Sequence, residues 1–177
     1  MDKTYEAYYF APDDGLLRYE DGRKVGVGVT HKVECTPKVC RSGLHASTYL
    51  LDACRYAPGA TLYKVEVKGA VDVGTDKISG MSRTYIKEVK NSAYILRKFA
   101  RGISLEVVLK HIPDIHPVVI EYLETGDESI RSAAWGAAWS AAECAAWIEA
   151  RSAARSAAWG AACEKLEIMV SEEAVYG

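Results

Sequence analysis

TLYKVEV, at residues 61–67, has the clearest strand pattern in the chain and decides its predicted fold class. Tyr63, Val65 and Val67 alternate with Leu62 and two charged side chains. A period of two places alternate side chains on opposite faces of a β-strand. The segment therefore predicts a strand with one apolar face, and the neighbouring segments show whether a sheet forms around it.

The N-terminal neighbours of this strand are also typical of β-structure. Residues 4–10, TYEAYYF, are aromatic and predict a first strand. The Asp21-Gly22 pair tolerates positive φ at both turn positions, so it predicts a hairpin between residues 16–19 and 24–29.

The residues that follow complete a first domain. Residues 50–56 have apolar spacing for two helical turns before a Pro-Gly stop. Val71 and Val73 extend or re-enter the sheet, and residues 85–89 predict a further short strand after a polar turn region. The pattern predicts a small, mostly antiparallel, β-rich domain over residues 1–90.

The apolar period changes to a helical one from about residue 91. One helix is predicted from Ala93 to a stop at Gly102, and Ser104 is expected to cap a second. A third is predicted over residues 118–124, with Pro117 suited to its first turn. Residues 91–124 therefore predict short helices packing on the β-rich domain, and the fold class is α+β.

The last third of the chain, residues 125–177, predicts a long alanine-rich helix. Thr125 and the glutamate three residues later have capping-box spacing. From residue 132 a repeat near four residues places large side chains in one row, which are predicted to mediate oligomerisation: Trp135, Trp139, Trp147, Arg151, Arg155 and Trp159.

A row with a spacing of four drifts about 40° per step around a helix, so these side chains cannot all face one straight partner. Several neighbours are expected, as in a bundle of helices from two or more copies. The repeat falters at Ile148-Glu149, where a bend is possible and where the helix could instead fold back on itself.

The composition excludes several classes of protein. A net charge of −2 over 177 residues gives no reason to expect DNA or RNA binding. Five cysteines without a framework spacing, and no apolar N-terminal segment, indicate a cytoplasmic protein with reduced thiols. No uncharged run of eighteen apolar residues exists, so no membrane span is expected.

Two arrangements of cysteine and histidine could carry chemistry. Cys35 and Cys40 with His31 and His45 could hold zinc, but their spacing favours a structural thiol over a metal site. Cys40 and His45 could instead form a nucleophile–base pair, or His45 could be an ordinary hydrogen-bonded residue at a strand end. Phosphate-binding glycine motifs are lacking. No catalytic set, metal or cofactor is therefore predicted.

The segment CRSGLHA, at residues 40–46, is the most informative short motif. It occurs with four other elements of one pattern: YEDG at residues 19–22, Tyr56, VEVKG at residues 65–69, and Asp76-Lys77. Over about residues 16–90 this pattern resembles a small domain of unknown function found in phages and prophages. The Ser-Ala-Ala-Trp repeat also resembles tails common on phage-encoded proteins.

A second resemblance is to the ADP-ribosyltransferase-like fold. Residues 43–47, the helical segment at residues 53–56 and the strand at residues 62–67 follow the order of that fold's core. The chain lacks a recognisable catalytic glutamate motif and a His-Gly pair before the segment. The resemblance therefore implies a nucleotide pocket and leaves catalysis in doubt.

These resemblances imply a phage-encoded counter-defence protein that binds and sequesters a nucleotide-derived immune signal in the host cytoplasm. The signal would be of cyclic-nucleotide or ADP-ribose type. Cations and hydroxyls pair with phosphate groups. On that basis the candidate ligand contacts are Arg41, His45, Ser47, Tyr49, Lys77 and Arg83. The alternatives are a nucleotide-processing enzyme related to ADP-ribosyltransferases and a structural or partner-binding phage protein without a small ligand.

Overall fold

The structure, a computed structural model, describes residues 3–142 and 166–170, with the side chains of residues 139–142 left out. Strands occupy the first half and helices the second, which confirms the predicted α+β class. The elements are β1 Tyr5–Ala11, β2 Thr30–Lys32, β3 Leu44–Ala46, α1 Leu50–Cys54, β4 Thr61–Val73, β5 Ile78–Val89, α2 Ser92–His111, α3 Pro117–Thr125 and α4 Arg131–Ala142.

The described strands form one antiparallel sheet in the order β1-β4-β5-β2, with β3 also paired to β5. Strands β4 and β5 are a long hairpin, and β4 continues to Val73 with a register shift between Lys68 and Val71. Ser47, just after β3, exchanges two backbone hydrogen bonds with Tyr8 of β1, with N···O distances of 2.7 and 3.0 Å. The sheet therefore curls until the end of β3 meets the edge strand β1.

The largest buried apolar cluster of this region lies on one face of the sheet. Val65, Val67 and Tyr85 are at most 2% exposed, and Leu44 and Ile78 belong to the same buried cluster. Alternate residues of β4 form this face, as the pattern at residues 61–67 predicts. The buried face positions the polar residues described below.

Within the described residues the chain forms two compact units. One contains the residues up to Ala93 together with residues 166–170, and the other begins at Tyr94. The predicted domain limits at residues 90 and 124 stay predictions. In the part of the chain that the structure describes, no helix combines the length and apolarity needed to cross a membrane.

The predicted hairpin at residues 16–29 is wrong, because this segment is an irregular loop with one bridge between Leu16 and Lys24. Tyr19 and Glu20 have positive φ, so the chain turns before two strands can pair. The Arg23 guanidinium also holds both carboxylate oxygens of Asp21, at 2.6 and 2.7 Å. The polar segment before residue 85, predicted as a turn, instead belongs to β5 from Ile78 onward.

The prediction of separate helices around Gly102 is also wrong. Helix α2 runs without interruption through Gly102, so Ser104 is not the N-cap of a helix. Its hydroxyl instead donates to the Ala100 carbonyl, at 2.9 Å, within the helix. Glycine costs only about 1 kcal/mol in a helix interior, so buried Ile95 and Phe99 on the preceding turns can outweigh it.

The predicted capping box at Thr125 is wrong as well. Thr125 is the last residue of α3, and its hydroxyl donates to the Glu121 carbonyl at 2.7 Å. Gly126 adopts the left-handed conformation, φ 69°, that ends a helix, and the next helix begins only at Arg131. The predicted continuation of the long helix and the bend at residues 148–149 lie outside the described residues.

Candidate functional site

The CRSGLHA segment forms a tight turn followed by β3. Cys40 has φ 64°, and its backbone N–H donates to Nε2 of His45 at 3.1 Å. Gly43 has φ 92°, and a Cβ there would overlap the Ser79 hydroxyl, which donates to the Ser42 carbonyl at 2.5 Å. A glycine is therefore required, and the imidazole of His45 stabilises the turn.

Two cations influence the electrostatic environment of His45. Burial first, and then the charges of Lys77 and Arg83, lower the pKa of His45. Because Nε2 accepts the Cys40 amide, the proton of the neutral ring is on Nδ1. The contact uses the amide of Cys40, so the geometry gives no pairing of its thiol with this imidazole as nucleophile and base.

Arg83 is the buried cation of the site, with 2% of its surface exposed. Nη1 donates to the His45 carbonyl, and the guanidinium carbon stands 3.6 Å from the centre of the Tyr9 ring. Nε and Nη2 donate to the hydroxyl of Tyr85 at 3.2 and 2.7 Å. Within the described residues no carboxylate forms an ion pair with Arg83.

His31 extends this buried network. Its Nε2 contacts the Lys24 carbonyl at 3.1 Å, and its Nδ1 contacts the Tyr85 hydroxyl at 3.1 Å. A carbonyl only accepts, so Nε2 carries the proton and Nδ1 accepts from Tyr85. The hydroxyl of Tyr85 therefore accepts from Arg83 and donates to His31, and both ring nitrogens of His31 are engaged.

A more exposed group lies beside His45. The Lys77 ammonium stands 3.9 Å from the centre of the Tyr56 ring. Burial tends to lower the pKa of Lys77, but a hydrogen bond to the Cys40 side chain and the neighbouring Tyr56 raise it overall. Tyr56 donates its hydroxyl to Asp76, and Nη1 of Arg55 lies 3.7 Å from the same carboxylate oxygen.

The structure brings three of the six predicted ligand contacts together: His45, Lys77 and Arg83. Ser47 is buried, and its backbone pairs with Tyr8 of β1. Arg41 and Tyr49 are exposed on the turn before β3 and at the N-cap of α1. Whether any of them contacts a ligand stays a prediction.

Several residues of the site were not predicted as ligand contacts: Tyr9, His31, Tyr56, Asp76 and Tyr85. Tyr56 and Asp76 belong to the motif pattern, which could have indicated them. Tyr9 and Tyr85 have the sequence pattern of ordinary strand residues, so no local signal distinguishes them from other core residues. Among the described residues, no three His, Cys, Asp or Glu side chains are placed to hold a metal ion.

Of the predicted oligomerisation residues, Trp135 on α4 is 71% exposed. The side chains of Trp139, Trp147, Arg151, Arg155 and Trp159 lie outside the described residues. The role of this row in assembly stays a prediction.

Comparison with known proteins gives one match. Residues 16–97 match a family model described as a domain of unknown function (DUF7666). This range contains the CRSGLHA motif and all six predicted ligand contacts, and it agrees with the resemblance to a small domain of unknown function. No curated protein and no solved structure matches the chain. The phage origin and the similarity to ADP-ribosyltransferases stay predictions.

Proposed function

We propose that this chain is a binding protein for a small nucleotide-derived anion, held at His45, Lys77 and Arg83. The supporting observation is that the buried Arg83, which donates to the His45 carbonyl, forms no ion pair with a carboxylate in the described residues. The charges of Lys77 and Arg83 also lower the pKa of His45. A buried cation without a counter-charge is unfavourable, and an anion bound nearby would compensate it. Arginine and lysine commonly bind phosphate groups in proteins.

Two exposed aromatic rings support a ligand that also contains a base. Tyr49 is 54% exposed and Tyr56 is 45% exposed, and they flank α1. The Tyr56 ring lies against the Lys77 ammonium. Nucleobases stack on tyrosine rings with little dependence on base identity. Exposed tyrosines beside a phosphate-binding group therefore favour a nucleotide over inorganic phosphate.

The biological role that we propose is sequestration of an immune signal by a phage protein. The motif resemblance supports the phage context, and a site whose histidine is occupied by a backbone amide supports binding over turnover. The ligand would be a cyclic nucleotide or an ADP-ribose derivative in the host cytoplasm. This proposal rests on resemblance as well as on geometry.

Isothermal titration of the full chain tests the binding function. The probes are cyclic dinucleotides, cyclic mononucleotides, ADP-ribose and NAD. The variant Lys77→Met should weaken the best binder by about tenfold or more, because it removes one charge-assisted hydrogen bond. The matched control is Lys110→Met, which alters an exposed lysine in the last turn of α2. Absence of binding to every probe would overturn the proposal and favour a partner-binding protein.

The enzyme alternative predicts that the ligand changes during incubation. After denaturation of the complex, chromatography should recover the bound nucleotide intact if the chain only sequesters it. Conversion of NAD or of the bound signal by the wild type, and not by the Lys77→Met variant, would favour nucleotide processing instead.

We further propose that the chain assembles through the alanine-rich segment. The largely exposed Trp135 on α4 supports this, since large aromatic side chains are enriched at protein interfaces. Light scattering of the full chain should show a homo-oligomer, and Trp135→Ala should shift it toward smaller species. An unchanged mass in this variant would remove Trp135 from the proposed interface.

A further inference from the structure

Tyr56 is an exposed tyrosine whose ring is held in place by its neighbours. It follows α1, and 45% of its surface is exposed. Its hydroxyl donates to the Asp76 carboxylate, and the Lys77 ammonium stands 3.9 Å from the centre of its ring. Tyr49, at the N-cap of α1, is 54% exposed, and within the described residues its side chain makes no hydrogen bond or ring contact. Of the two tyrosines that flank α1, Tyr56 is therefore the one with a fixed ring.

The hydrogen bond to Asp76 fixes the ring at its hydroxyl end. The same carboxylate oxygen lies 3.7 Å from Nη1 of Arg55. This hydrogen bond first, and then burial, raise the pKa of Tyr56, so its hydroxyl stays protonated and remains a donor. A ring that is already oriented costs a stacking ligand less conformational entropy than a mobile ring does.

Lys77 occupies one face of the Tyr56 ring and leaves the other face open. In the part of the chain that the structure describes, no second ring or cation lies against Tyr56. An exposed aromatic face is a surface on which nucleobases stack. A base in van der Waals contact with this face would lie about 7–8 Å from the ammonium, on the opposite side of the ring.

The ammonium also restricts the charge that a stacked base can carry. The face of an aromatic ring attracts cations because of its negative potential. Lys77 already uses that attraction, so a cationic base on the open face would meet a like charge across the ring. At about 7–8 Å such a repulsion weakens binding about threefold in water, and more where water is displaced. An uncharged base meets no such repulsion.

We propose that Tyr56 is the stacking platform for the base of the ligand and that it selects uncharged bases over positively charged ones. This inference rests on the proposed function, in which Lys77 and Arg83 attract the phosphate. It assigns the base to one of the two exposed tyrosines and disfavours cationic rings, such as the oxidised nicotinamide of NAD. Asp76 is a positioning residue, because it acts through the Tyr56 ring. The tethered ring with a cation on one face is the observation that carries the inference.

Titration of the full chain with the oxidised and reduced forms of nicotinamide mononucleotide tests the charge selection. The two forms share phosphate and ribose, and only the oxidised ring is positively charged. The reduced form should bind about threefold more tightly or better. In Lys77→Met this ratio should approach one, whereas the control Lys110→Met, at an exposed lysine of α2, should retain it.

The outcome separates this inference from the proposed function. Equal affinities for the two forms, or a preference for the oxidised one, would overturn the charge selection and leave phosphate binding intact. Absence of binding to both forms would overturn it too, while the wider panel of probes judges the proposed function separately.

Substitution then assigns the base to Tyr56. Adenosine monophosphate and ribose 5-phosphate share the phosphate and differ by the base, so the wild type should prefer the nucleotide by about tenfold or more. In Tyr56→Leu the two affinities should come within about threefold of each other, whereas the matched control Tyr49→Leu should retain the preference. A full preference in Tyr56→Leu, with a far-UV spectrum like that of the wild type, would overturn the assignment.

The same pair of probes tests the positioning role of Asp76. Tyr56→Phe and Asp76→Ala remove the same hydrogen bond, so each should lose part of the preference for the nucleotide. The double variant should lose no more than either single variant, because the two residues act as a unit. A fall of both affinities by the same factor in Asp76→Ala would contradict a positioning role.

Discussion

Removal of the Tyr85 hydroxyl should destabilise the chain far more than removal of any exposed tyrosine hydroxyl. Tyr85 is fully buried, and this one oxygen accepts from Nε and Nη2 of Arg83 and contacts Nδ1 of His31. The variant Tyr85→Phe keeps the ring and its edge-to-face contacts with Tyr9 and Tyr63. It therefore isolates the contribution of the hydrogen bonds.

The size of the effect follows from the groups that lose their partners. Arg83 keeps its bond to the His45 carbonyl, but two of its nitrogens lose an acceptor in a buried environment. Leaving a buried charged donor unsatisfied costs about 1–3 kcal/mol, and these two donors belong to one guanidinium. The His31 nitrogen loses its donor as well. We expect a loss of about 3 kcal/mol in the free energy of unfolding.

Urea unfolding followed by far-UV circular dichroism measures this loss. With a slope of about 2 kcal/mol per molar urea, the midpoint should fall by about 1.5 M without a change in slope. The matched control is Tyr9→Phe, because the Tyr9 ring stacks on Arg83 through its face, which phenylalanine retains. This control should stay within about 0.5 kcal/mol of the wild type. Equal midpoints for the two variants would refute the buried network as a source of stability.

Three further predictions concern His31, Asp52 and Gly43. Burial, and then the charge of Arg23, lower the pKa of His31, so the stability that His31 contributes is complete above its ordinary pKa of about 6.5 and is lost as the pH falls below that value. Between pH 8 and pH 5 the urea midpoint should therefore fall more steeply for the wild type than for His31→Gln. Parallel slopes of the two proteins would contradict this. The raised pKa of Asp52 means that its ionised form destabilises the fold, so Asp52→Asn should be more stable than the wild type at pH 7 and by a smaller margin at pH 5. A less stable variant at pH 7, measured by urea unfolding, would argue against this. Gly43→Ala combines a positive φ with a Cβ that overlaps a serine hydroxyl, whereas Gly22→Ala has a positive φ in open space. Thermal unfolding should therefore show that Gly22→Ala lowers the free energy of unfolding by about 1 kcal/mol and that Gly43→Ala lowers it clearly more.

The sequence predicted the elements with strong local patterns. The alternation at residues 61–67 predicted the core strand, and the proline at the start of α3 predicted its beginning correctly. Residues 78–84 were missed because Ser79 and Arg83 are polar, although they belong to a central strand. These side chains are tolerated inside because partners distant in the chain satisfy them: Ser42 for Ser79, and Tyr85 and His45 for Arg83. No local pattern reports such partners.

The candidate site was predictable to a similar extent. His45, Lys77 and Arg83 were identified from charge and from the motif, and the structure brings them together. The role of His45 was not predictable, because the amide that occupies its Nε2 depends on the left-handed conformation of Cys40.

The closed sheet includes residues that lie outside the range of the family match. The family match begins at residue 16, yet β1, at residues 5–11, pairs with β4, meets Ser47 and supplies the Tyr9 ring beneath Arg83. A fragment cut at the limits of the match would expose one edge of β4 and uncover a charged side chain of the interior. A fragment of this chain limited to residues 16–97 would therefore need an equivalent first strand from a second molecule.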